Sequence, residues 1–130
     1  MERLVMASTK KNPLRRGEIH WVDYNYKTQR GGEIKKTRPS LVVSNDVQNE
    51  LDDQIIVAPL TTEEVEIVRS SFEIFIDKTP ENGLEEPSKI LCNRLQTVDV
   101  AVRLKGFMGV AEPEIISQVN KILKTVLVLE

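Results

Sequence analysis

Apolar residues in this 130-residue chain come in short runs, and only once do they take a helical period. The stretch "GEIHWVDY" (17–24) alternates, with Ile19 and Trp21 on one side and Glu18 and His20 on the other, which predicts a strand. Leu41–Val43 and Gln54–Leu60 read as buried strands, with Pro59 marking an end or a sheet edge. Ser71–Asp77 sets Phe72, Ile74 and Ile76 against Glu73 and Phe75, and Lys89–Cys92 and Gly106–Val110 add two more strands. Between them, Asn45 or Asp46 can cap a helical turn through Asn49, and "KTPENGLEEPS" is turn material. The period changes at Glu112–Val126, where Ile115, Ile116, Val119, Ile122, Leu123 and Val126 share one helical face and Pro113 suits the first turn. Six short strands and one closing amphipathic helix predict a mainly β, α+β fold, a small half-open barrel.

The length suits one domain with a core of its own. Apolar residues make up 40% of the chain and charged residues 29%, the balance of a globular protein rather than a disordered one. No run approaches the ~18 apolar residues of a membrane span, so no membrane association is expected. The first residues lack an apolar signal core, and the lone Cys92 permits no intrachain disulfide; a reducing cytoplasm is the expected setting.

The net charge of −2 hides an asymmetry. Residues 1–40 hold ten Lys and Arg against four acids, net +6, whereas the remaining 90 residues hold 8 basic and 16 acidic side chains, net −8. Residues 1–14 read as a basic, poorly ordered extension. Asn25–Lys36, with Gly31-Gly32, reads as a long loop whose cations (Arg30, Lys35, Lys36) run into Arg38 and a strand. A solvated charged face accounts for such a run, and so does a groove for a phosphate backbone or an acidic protein.

One His and one Cys exclude several machines. A structural zinc site needs four N or S ligands, more than one protomer can supply. Cleavage of RNA by two histidines is impossible within one chain. Cys92 lies in a buried-strand pattern, where thiols are inert, and there is no phosphate-cradling Gly-rich loop. His20, beside Trp21 in the first strand, reads as structural. What remains is a cation and a hydroxyl. Pro39 holds the backbone of Arg38 extended, and a guanidinium meets a phosphate with two donors. Thr61 and Thr62 follow the third strand, where a loop would lift a hydroxyl into reach.

The runs "RRGEIHWVDY" (15–24), "GGE" followed by "TRPSLVVSND" (31–46), "IIVAPLTT" (55–62), "LQTVD" (95–99) and the closing helix resemble, in order and spacing, the MazF/PemK toxin family of toxin–antitoxin systems. The resemblance covers residue 15 to the C-terminus and implies an SH3-like barrel forming a homodimer with an RNA groove at its interface. It implies a metal-independent, cofactor-free, sequence-specific endoribonuclease that cuts single-stranded RNA within a short preferred sequence, in which Arg38 and Thr61 match the catalytic pair. Glu33 falls where a glutamate of the preceding loop shapes the site, and Arg30, Lys35, Lys36 and Thr62 are the expected RNA contacts. The expected partner is a small antitoxin whose disordered, acidic and apolar tail would fill the groove.

Departures are equally legible. The His–Arg–Asp arrangement of the Kid/PemK branch is not supported, because loop 25–36 has no His and Leu91 and Asn93 stand near Cys92. Gln96 replaces the usual Arg before "TVD", with Arg94 two positions away, and Lys35-Lys36 replace small residues. The alternative of a gyrase poison of the CcdB type is disfavoured, because the chain ends Val128-Leu129-Glu130 and its one Trp is Trp21. A catalytically silent barrel that binds RNA or protein is the other alternative.

Overall fold

Gly17, with φ of +97°, turns the chain into β1 (Glu18–Asp23) in a conformation that a β-carbon disfavours. The computed structural model describes residues 14–25 and 36–130. The extension over residues 1–13 and the loop residues 26–35, and with them Arg30, Glu33 and Lys35, lie outside the described residues. Leu14, at the end of the expected extension, packs against the core.

The chain continues through β2 (Thr37–Val42), α1 (Asp46–Leu51), β3 (Gln54–Thr61), β4 (Glu73–Ile76), β5 (Ser88–Leu91), β6 (Gln96–Asp99), α2 (Val100–Arg103), β7 (Leu104–Val110) and α3 (Pro113–Val126). The seven strands form one antiparallel sheet in the order β4-β5-β3-β2-β1-β7, with β6 also on β3. The sheet is strongly folded but not closed, since β4 and β7 end it without pairing to each other.

Strand β3 explains the bend. Gln54–Val57 pair with β6, whereas Leu60 and Thr61 pair with β5. Ala58 and Pro59 fall in the gap between these partners, where a residue without an N–H is tolerated. Pro59 therefore lies inside the central strand, opposite Ser40, rather than at its end or at a sheet edge.

Both faces of the central strands are covered. Leu41 and Val42 are neighbours in β2 and point to opposite faces, and each is fully buried in a different apolar cluster. The first cluster joins Ile19, Leu41, Ala58, Leu60 and Ile90 to α3, whose Val119 is buried and whose Ile115, Ile116, Ile122, Leu123 and Val126 pack around it. The second joins Val22, Tyr24, Val42, Ile55, Val57 and Val98, covered by Leu14, Val100 and Leu104. Two-sided burial is why these strands read as continuous apolar runs. It also buries both sides of β1: His20, on the side opposite Ile19, is 7% exposed, and Val22 is fully buried.

The capping reading holds, because Asn45 Oδ1 accepts from Gln48 N–H at 2.8 Å at the start of α1. Pro113 opens α3, as its lack of an N–H allows. Two elements were not anticipated. Strand β6 offers one buried apolar residue, Val98, and α2 is a single turn capped by Asp99. Glu73, on the side of β4 opposite Ile74 and Ile76, is buried against Lys89, because the 62–72 connection folds over that face.

Candidate active site at the end of the central strands

The register Leu41↔Ala58 and Ser40↔Pro59, carried two residues further, sets Arg38 across from Thr61 on one face. Arg38 Nη1 donates to Thr61 Oγ1 at 3.3 Å. Thr61 is the last residue of β3 rather than part of a loop; its side chain is buried and its Oγ1 also accepts the Glu63 N–H at 3.1 Å. The hydroxyl is thus fixed by two donors. Thr62, one residue on, is exposed.

Arg38 is half-buried, and its Nε is wholly buried with no acceptor among the described residues. Buried donors are rarely left unpaired, so an orphaned guanidinium N–H at a cleft wall suits an anionic ligand. The cleft encloses about 180 Å³, and its walls include Lys36, Arg38, Pro39, Thr61, Thr62 and Ser88. Lys36 is held at its rim in a left-handed conformation, φ +76°, by the Asn25 side chain, which accepts its N–H at 2.7 Å. Its carbonyl accepts from Tyr24 N–H, so Tyr24, Asn25 and Lys36 form the neck of the loop between β1 and β2.

Behind the pair, Tyr24 Oη lies 2.7 Å from Ser40 Oγ, and both residues are fully buried. Burial pushes the Tyr24 phenol up to about 12, against the lowering effects of Ser40, Arg103 and Arg38, so it stays protonated at neutral pH. Arg103 stacks over the Tyr24 ring at 5.8 Å, donates from Nε to the Asp23 carbonyl at 3.0 Å and from Nη2 to Gln96 Oε1 at 3.2 Å. Sequence reasoning missed Arg103, although Gln96 had been noted as standing where an arginine is usual.

The other chemistry-bearing residues lie apart. Burial raises the Cys92 thiol to about 11, which makes it a poor nucleophile. His20 Nε2 sits 2.8 Å from Glu18 Oε1, with the Phe107 ring edge-on at 5.4 Å, and it does not line the cleft. Among the described residues, no three His, Cys, Asp or Glu side chains group as a metal site.

The site is thus a cation and a fixed hydroxyl at the end of the central strands of an open antiparallel barrel that one C-terminal helix covers. Residues 15–127 match the model of the PemK-like, MazF-like toxins of type II toxin–antitoxin systems, and the chain belongs to that family. Among solved structures it is similar to MazF from Deinococcus radiodurans, with 20% identity over 90% of this chain and 98% of that one, TM-score 0.72. It is similar also to the Mycobacterium tuberculosis toxin MazF-mt6, with 23% identity over 87% and 98%, TM-score 0.69. A mycobacterial endoribonuclease in complex with its cognate antitoxin matches with 21% identity over 92% and 98%, TM-score 0.68. No curated protein matches the chain.

Proposed function

We propose that this chain is the endoribonuclease of a toxin–antitoxin pair and that it cuts single-stranded RNA at the Arg38–Thr61 cleft. The observation that carries the reading is the buried Arg38 Nε, without an acceptor among the described residues and beside a hydroxyl held 3.3 Å from the same guanidinium. The names of the structural neighbours, endoribonucleases and their antitoxin complexes, support it.

In the proposed reaction a ribose 2′-oxygen attacks the adjacent phosphorus and the P–O5′ bond breaks. The 2′-OH gives up its proton, the departing 5′-oxygen gains one, and the products are a 2′,3′-cyclic phosphate and a 5′-OH. Arg38 donates to the non-bridging oxygens as charge builds, a role commonly worth ~10²–10³ in rate. Thr61 orients the 2′-OH or a phosphate oxygen; a hydroxyl is too weak an acid to serve as a free base at neutral pH. Tyr24 is no base either, since its phenol is pushed up to about 12. These roles call on no metal ion. DNA, lacking the 2′-OH, is not a substrate. Lys36 and Thr62 at the rim, with Arg30, Glu33 and Lys35 from the loop, would contact the RNA strand.

The proposed homodimer and the antitoxin both need apolar surface. Phe75 is 44% exposed beside a groove of about 500 Å³ shared by Val68, Ile74 and Ile122, and Leu127 and Leu129 extend apolar surface past α3. The test is cleavage of a long unstructured RNA in EDTA by the native protein and by Arg38→Ala. Fragments with 5′-OH ends from the native protein alone are expected. Equal cleavage by both, or none by either, would overturn the reading.

A further inference from the structure

A second cavity adjoins the Arg38 cleft. It encloses about 150 Å³ and shares Pro39, Thr62 and Ser88 with the first. That is small beside the ~300–1,000 Å³ of pockets for drug-sized ligands, and on the scale of a single ring system. Its walls carry the Trp21 indole, Pro39, Leu84 and Met108. Trp21 and Pro39 are register partners on β1 and β2, on the face opposite Arg38, and the two cavities adjoin where Pro39, Thr62 and Ser88 line both.

The floor is preorganised. Leu84 is 7% exposed, and its N–H is held by Asn82 Oδ1 at 2.9 Å. Gly83, at φ +72°, lies so close to the Met108 carbonyl that no β-carbon fits between them. Ser88 Oγ donates to the Glu86 carbonyl at 3.0 Å and fixes the turn that carries Glu85 and Glu86.

These two carboxylates complete the lining. Both are exposed, and neither makes an ion pair among the described residues. Next to a cleft that binds a polyanion they repel the backbone, which disfavours them there unless they meet hydrogen-bond donors. A base presents such donors on its Watson–Crick edge. A carboxylate has two acceptor oxygens and no donor when ionised. Guanine alone offers two adjacent donors there, N1–H and the N2 amino group. Adenine and cytosine put a ring acceptor beside their amino group, and uracil flanks its one N–H with two carbonyls.

We infer that this cavity is a base-reading subsite that takes a guanine of the RNA strand next to the cut phosphate. Trp21, Pro39 and Met108 hold its rings, and Glu85 or Glu86 accepts from N1–H and N2. The inference rests on the nuclease reading for the identity of the strand. Its test does not depend on cleavage.

The probe is a set of uncleavable 2′-O-methyl pentanucleotides, oligouridine with one position changed to guanosine, inosine, adenosine or cytidine. The readout is the emission of Trp21, the one tryptophan in the chain. Guanosine should bind about tenfold tighter than uridine, in keeping with a bidentate base contact, and quench Trp21. Inosine, which lacks the N2 amino group, should fall between. The double variant Glu85→Gln/Glu86→Gln should lose the guanosine preference, and Trp21→Leu should weaken all probes, followed by anisotropy of a labelled strand. Absence of binding, unmoved Trp21 emission or equal affinity for guanosine and uridine overturns the subsite. Guanosine preference in a protein that leaves guanosine-containing RNA uncut overturns the nuclease reading and leaves the subsite standing.

Discussion

Lys89 Nζ lies 3.0 Å from Glu73 Oε1 across β4 and β5, with both side chains more than nine-tenths buried. Lys89 Nζ also donates to the Ile67 carbonyl at 2.7 Å, and Glu73 Oε1 accepts the Arg69 N–H at 3.0 Å. The pair thereby staples the 62–72 connection, which leads out of the Arg38–Thr61 cleft. Lys89→Met leaves the buried Glu73 carboxylate with only the half-exposed Arg69 as a charged partner and should cost about 3 kcal/mol in urea unfolding. The double variant Lys89→Met/Glu73→Leu should recover most of that loss, because neither charge is then stranded.

Stability should fall in acid through the same carboxyl. Burial pushes Glu73 up, but the Arg69 N–H and the Lys89 and Arg69 charges outweigh it and hold the group below its ordinary 4.5. With the folded-state value depressed, the unfolded chain binds the proton more readily. The contribution is therefore fully present above the unfolded value and is lost as pH falls through the folded one. Urea midpoints followed down through this range should drop more steeply for the native protein than for Glu73→Gln. Parallel slopes would remove Glu73 as the cause.

The cleft residues should separate by function. Arg38→Ala should lower kcat by ~10²–10³, and Arg38→Lys should recover little, since an ammonium lacks the planar fork. Thr61→Val removes the hydroxyl that Arg38 contacts, whereas Thr61→Ser keeps it. Single-turnover cleavage should rank Thr61→Ser well above Thr61→Val. Equal rates would deny the hydroxyl a role.

The turn at Asn82-Gly83 should tolerate no added carbon. A β-carbon at Gly83 would run into the Met108 carbonyl, and one at Gly109 into the carbonyls of Glu81 and Asn82. Gly83→Ala and Gly109→Ala should each cost about 2 kcal/mol or more by thermal unfolding, as overpacked sites do. Gly17 meets only the end of Ile116, so Gly17→Ala should suffer chiefly from its positive φ, about 1 kcal/mol.

Tyr24→Phe should remove the Oη–Ser40 hydrogen bond, at a cost of about 1–2 kcal/mol, without shifting the pH profile of cleavage. A phenol raised by burial has no titration to contribute near neutrality. A displaced profile would instead place Tyr24 among the proton-transfer groups.

Local patterns in the sequence determined a good part of this protein. Alternation and short apolar runs located six strands, the 3.6-residue period located α3, Asn45 declared the cap of α1, and Pro39 declared an extended Arg38. Each depends on residues within a turn or two of one another, where steric and capping preferences act. Tertiary structure decided what distance along the chain conceals. Arg38 meets Thr61 from 23 positions away only because β2 and β3 pair in one register. A slip of one residue would turn the two side chains to opposite faces. Alternation sets Glu73 on the side opposite Ile74 and Ile76, and the residue becomes a buried ion only when the 62–72 connection covers it. Arg103 reaches Gln96 and Tyr24 through a helical turn too short to show a period. Periodicity tells which residues share a side; it does not tell which sides will be covered, because coverage is set by non-local packing.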